Sequence, residues 1–240
     1  MSSARASAPA QGARLRLNVA HSSWELIWSH VQRILIVNLG VALANLPLLA
    51  ALQVWHQPWR HPVLFGPLLL LLPGPSVAAA FAFFADTAED GDARMRRFGR
   101  AYRRLYGPAL RVSVPFLLVA TAAVTDVVVM RTTPVGAALV PMAAVLALLM
   151  ALSWTVALAH RAQSDDSGMR IFLLAPYAVV RHGLLALMNL VLMAAALLLV
   201  NQAPLLGLAV LPGCVLFVVW RNCRFMLDGG PGPLPPQASG

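Results

Sequence analysis

The sequence predicts an all-α protein, a polytopic membrane helix bundle of about six transmembrane helices with interfacial amphipathic helices beside them. Three observations predict it. Of the 240 residues, 59% are hydrophobic and only 11% charged, where a soluble domain carries roughly a quarter charged residues, and the mean hydropathy is +0.73. Apolar runs of about 20 residues, the length that crosses a bilayer at 1.5 Å per residue, recur along the chain. Finally, the basic residues fall almost entirely in alternate loops between those runs, as the positive-inside rule requires.

Taken in order, residues 1–20 carry Arg5, Arg14 and Arg16 without an apolar core and read as a disordered basic arm. The first apolar run is too long and too poorly flanked for a cleaved signal, so the arm is expected to stay on the mature protein. Residues 21–224 form a single membrane domain. It opens with HSSWELIWSHVQRIL, where Trp24, Ile27, Trp28 and Val31 recur at helical spacing and the two indoles suit the membrane interface. Spans are expected near 31–53, 63–85, 108–130, 135–159, 183–201 and 203–221. Only Asn201, Gln202 and Pro204 separate the last two, and they make a tight turn. One helix across both would overshoot a hydrocarbon core of roughly 30 Å. Residues 225–240 are rich in Pro and Gly and read as a disordered tail.

All eighteen basic residues are Arg. With the N terminus in the cytoplasm, Arg33, the group from Arg94 to Arg111, Arg161, Arg170, Arg181, Arg221 and Arg224 are internal, and only Arg60 and Arg131 are external. Both termini are then cytoplasmic. Five helices would put Arg221 and Arg224 on the wrong side. The net charge of +9 is thus accounted for by topology and anionic lipid headgroups, and no nucleic-acid partner is expected.

The loop DARMRRFGRAYRRLYG, residues 92–107, predicts an interfacial amphipathic helix. Met95, Phe98, Tyr102, Leu105 and Tyr106 recur at steps of three and four, while Arg94, Arg96, Arg97, Arg100, Arg103 and Arg104 take the other faces. Asp92 can cap its start, and Asp86, Glu89 and Asp90 lie near the positive end of its dipole. Two uses fit this pattern: resting on anionic lipid, or docking a cytoplasmic partner.

The stretch LPGPSVAAAFAFFAD, residues 72–86, breaks its own backbone inside an apolar run. Pro73 and Pro75 lack N–H groups, so carbonyls in the turn before them must find other partners. A transporter uses such a break to hold a substrate at the midplane, which makes Gly74, Pro75 and Ser76 a candidate polar site with freed groups around Leu71, Leu72 and Gly74. The alternative is a proline-started helix in which Ser76 returns a hydrogen bond locally. Asp126 is the acid that falls within a span, and such acids are functional candidates. Its closeness to Arg131 also allows snorkelling or pairing. Asn38, Asn45 and Asn189 suit hydrogen bonding between helices.

Other chemistry is sparse. His56 and His61 lack a third ligand for a metal site, and Cys214 and Cys223, about 13 Å apart along one helix, are beyond disulfide reach. The phosphate loop, zinc helix and nucleophile elbow motifs are missing, so neither an enzyme nor a cofactor is expected.

The order of NLGVALANLP at 38–47, GPSVAAAFAFF at 74–84, RRFGRAYRRLYGPAL at 96–110 and an Asp late in the third span resembles the YesL-like family of small bacterial integral membrane proteins, a domain without an assigned biochemical function. Asn38, Leu46 and Pro47 match its first helix, Gly74, Pro75 and Ala78 the start of the next, Phe98 and Tyr102 the basic stretch, and Asp126 the acidic position. RIFLLAPYAVVRHGLLALMNL is similar to the family's approach to its fifth helix. The resemblance implies a multi-pass protein of the bacterial inner membrane that acts as an accessory or assembly component, with a sugar uptake system as partner. The alternative is a small secondary transporter using the broken second helix. The chain departs from the family pattern by inserting PLLAALQVWHQPWRHPVLFGPLLLL from Pro47, which leaves open whether 48–72 spans the membrane or caps the bundle.

Overall fold

The computed structural model describes residues 28, 31–54, 62–86, 94–130, 136–164, 169–202 and 204–228. The expected basic arm, the tail beyond residue 228, His56, His61, Asp92 and Arg131 lie outside them, as do residues 21–30 of the expected surface helix apart from Trp28. Among the described residues there is no strand. The elements are α1 (Val31–Ala44), α2 (Leu46–Val54), α3 (Pro62–Leu71), α4 (Pro73–Ala85), α5 (Arg94–Met130), α6 (Gly136–Gln163), α7 (Ile171–Arg181), α8 (Gly183–Gln202) and α9 (Pro204–Asp228). The chain is an all-α helical bundle.

Three stretches among the described residues are long and apolar enough to cross a membrane: Phe65–Ala85, Met95–Met130 and Ala138–Gln163. Ile171–Arg181 and Gly183–Ala196, bent by 94° at His182, make a fourth if the pair is taken as one span. By length and composition alone the described residues thus give three or four of the six expected spans, and the first run shows how a span can fall below that length. It divides at Asn45, and Val31–Ala44 alone reaches only about 21 Å. Pro47 has no N–H to return to Leu43, which is the local cause of the division. The final two runs do form separate helices that pack together, α8 of 20 residues and α9 of 25, while Asn201 and Gln202, expected in the turn, are the last helical residues of α8.

Four expectations are corrected. The arginine-rich helix is not a separate element: α5 runs for 37 residues through Gly107 and Pro108 without a turn. Part of its apolar face rests on protein, with Phe98 4% and Leu105 2% exposed against 37% for Met95. Because the helix is continuous, that stripe keeps facing the same neighbours as the span below it. The loop expected at 160–182 contains α7, whose Ile171, Ala175, Ala178 and Val179 are buried. The membrane domain also passes its expected end at 224, since α9 continues to Asp228 and buries Met226.

The centre of the bundle is α4, packed against α5, α6 and α9. Lipid tails are as apolar as the side chains, so helices in a bilayer associate through close packing and interhelical hydrogen bonds rather than through water exclusion. The sequence of α4 serves the first requirement: Ala78, Ala79 and Ala80 are fully buried, and Gly74 lies so close to Ser113 of α5 that an added Cβ would collide with its hydroxyl. All three candidate asparagines serve the second. Asn38 accepts the Gly213 amide of α9, Asn45 donates to Ser76 at 2.9 Å, and Asn189 accepts from Asn222 at 2.7 Å. The outward faces carry Leu118, Met142, Val145, Leu184 and Leu198, all exposed. Apolar surface on that scale fits lipid contact. The inserted segment forms α2 and α3, joined through Leu48, Ala51 and Phe65, and α3 runs on into α4 as one stretch.

Candidate functional site

The break between α3 and α4 is sealed from within. Leu72 sits between the helices, yet the backbone ladder crosses it: the Leu72 amide donates to Leu68 O at 3.2 Å and the Ser76 amide to Leu72 O at 3.3 Å. Leu72 O is therefore not one of the freed carbonyls. Ser76 is fully buried, its hydroxyl donating to Pro73 O at 2.9 Å and accepting from Asn45 Nδ2 at 2.9 Å. Gly74 and Pro75 are buried beside it, and behind Gly74 the Trp154 indole donates to Ser113 Oγ at 2.9 Å. Of the buried side-chain polar atoms here, Asn45 Oδ1 is the one with no partner among the described residues. One open side-chain acceptor falls short of the several convergent side chains by which a site orients a polar ligand.

Asp126 is exposed on α5, one turn before its end, and its expected partner Arg131 lies outside the described residues. Nothing in the described structure brings it to the break.

The arginines divide into two sets. Arg97, Arg100 and Arg104 follow a three and four residue rhythm that puts them on one face of α5, and all three line a cavity of about 700 Å³. Arg96 and Arg103 are exposed away from it, and the side chain of Arg94 is outside the described set. The other walls come from the ends of three helices: Ala82, Phe83, Ala85 and Asp86 at α4, Ala162 and Gln163 at α6, and Arg224 at α9. Asp86 and Ser76 are ten residues apart, about 15 Å along α4, so the cavity and the break are separate places.

Several internal charges answer the arginines. Arg97 Nη1 lies 3.8 Å from Asp86 Oδ2, the outer limit of an ion pair. Arg224 pairs with Asp228 at 3.4 Å and stacks 5.9 Å over the Trp220 ring. Three helix C-termini add roughly half a negative charge each, and the start of α5 adds about half a positive one. Among the described residues, four guanidiniums thus stand against the two carboxylates of Asp86 and Asp228. Nearby, Tyr102 and Tyr106 stand one turn apart on α5. The two rings meet edge to face at 5.7 Å.

No protein-family model, curated protein or solved structure matches the chain. Its functional reading rests on this geometry.

Sequence reasoning singled out the arginines as one group and used Arg224 only for topology. The face shared by Arg97, Arg100 and Arg104 was legible from their spacing. The contribution of Asp86, Gln163 and Arg224 was not, because it depends on three distant helices ending at one level. Among the described residues no three His, Cys, Asp or Glu side chains converge as a metal site would require.

Proposed function

We propose that the chain is a YesL-like, non-catalytic accessory or assembly protein of the bacterial inner membrane, with six spans and both termini cytoplasmic, serving a membrane-borne carbohydrate uptake system. The observation that carries the accessory reading is Ser76. Its hydroxyl is committed once as donor and once as acceptor within the bundle, so the break supplies rigidity between two interrupted helices in place of a substrate site. The orientation is supported by the arginine distribution, since the cavity end collects Arg97, Arg100, Arg104 and Arg224 and thereby matches the positive-inside face.

The test is a single cysteine at Ser76 in a chain whose Cys214 and Cys223 are replaced by Ala. The accessory reading expects no reaction with a small water-soluble thiol reagent in intact membranes, together with co-isolation of an uptake-system component after crosslinking. Labelling that an added sugar prevents would favour the small-transporter reading.

A further inference from the structure

We propose that the arginine-lined cavity is a binding site for a phosphodiester group, supplied by the headgroup of an anionic lipid that carries hydroxyl donors beside the phosphate, as phosphatidylglycerol does. The inference rests on the reading of the chain as a membrane protein and adds to it a discrete ligand site.

Four observations converge. The cavity, about 700 Å³, falls within the range of ligand pockets, roughly 300 to 1,000 Å³. Among the described residues its lining carries four guanidiniums, of Arg97, Arg100, Arg104 and Arg224, and the single carboxylate of Asp86, a cationic set that suits an anionic phosphodiester. Guanidinium is the group best shaped for that ligand, because its planar fork matches two phosphate oxygens at once. Arg100 and Arg104 stand one turn apart on the same face of α5, with Ala101 between them on the cavity wall. The small side chains Ala82, Ala85, Ala101 and Ala162 leave the space that larger residues would fill.

Depth points to the lipid as the source. Arg104 precedes the expected start of the span at residue 108 by four residues, about 6 Å along α5. Headgroup layers are roughly 5 to 8 Å thick on each side of the hydrocarbon. With the span starting at residue 108, Arg104 stands at headgroup level and Arg97 beyond it. Basic pockets between transmembrane helices on the inner face are where lipid headgroups are held. Asp86 refines the choice: a carboxylate beside the arginines repels a second negative charge but accepts hydrogen bonds from headgroup hydroxyls. Gln163 offers a further donor and acceptor on the same wall.

The experiment is native mass spectrometry of the full-length protein in detergent, with phosphatidylglycerol and phosphatidylcholine of the same chain length in competition. The expected result is at least tenfold preference for phosphatidylglycerol. The double variant Arg100→Gln with Arg104→Gln should lose at least fivefold of that preference, whereas Arg96→Gln with Arg103→Gln, outside the cavity, should keep it. Equal loss in both doubles, or no preference in the parent, would overturn the site. Thermal stabilisation by millimolar glycerol phosphate or inorganic phosphate, without retention of phosphatidylglycerol, would overturn the lipid source and assign the cavity to a soluble phosphate. Resistance to carbonate extraction is read in parallel on each variant: an extracted parent chain refutes the membrane reading itself, while lost selectivity in an embedded chain refutes only the site.

Discussion

Asn45 donates its side-chain amide to Ser76 Oγ at 2.9 Å, joining the interruption between α1 and α2 to the first turn of α4. The same amide reaches back to Val41 O at 2.8 Å. Two apolar runs that prolines divide are thus fastened to each other near the places where they divide. In lipid this is a physical necessity, since unpaired polar groups find no water there.

Removing this tie has a bounded cost. Asn45→Ala should destabilise the detergent-solubilised protein by about 0.5 to 2 kcal/mol, the scale of interhelical hydrogen bonds in membranes, read as a lowered Tm. Ser76→Ala combined with it should add less than its single effect, because both substitutions remove one shared bond. Full additivity would show that the pair does not interact.

The approach of α4 to α5 gives a sharper test. An added Cβ at Gly74 would collide with Ser113 Oγ and stand 3.1 Å from Ser113 Cβ, while Trp154 holds that hydroxyl in place. Gly74→Ala should therefore cost about 1 to 3 kcal/mol, as overpacking does. Ser113→Ala in the same chain should recover part of the loss by removing the colliding atom. Gly66, with nothing near a built Cβ, is the neutral control for Ala substitution.

The face of α5 that carries Phe98 can be assigned by comparison within one helix. Phe98 meets Gly40 of α1, where an added Cβ would be 2.5 Å from the ring, and Phe83 of α4 at 6.4 Å between centroids. Phe98→Ala should cost about 3 to 5 kcal/mol, while Met95→Ala should change stability by less than about 0.5 kcal/mol, as exposed positions do. Similar small effects at both positions would return the apolar stripe to the lipid surface.

Topology is testable independently of packing. Single cysteines at Ser7 and Ser239, in the chain lacking Cys214 and Cys223, should resist impermeant thiol reagents in intact cells, while one at Gln57 should react. Labelling of either tail would refute six spans with internal ends.

Composition and arginine placement by themselves determined the class of this protein, because the cost of a charge in hydrocarbon allows few arrangements of so apolar a chain. The paired prolines at 73 and 75 likewise marked the division at Leu72, since two missing N–H groups weaken the one turn before them. Spacing alone also put Arg97, Arg100 and Arg104 on one face. Only the tertiary structure decided what each face meets: that α5 passes through Pro108 unbroken, that Phe98 turns to α1 and α4, and that Asp86, Gln163 and Arg224 close a cavity around three of the arginines. Periodicity specifies which residues of one helix stand together, whereas a site built from four helix ends depends on their relative heights, and these are set by contacts as distant in sequence as Gly74 with Ser113 and Asn38 with Gly213.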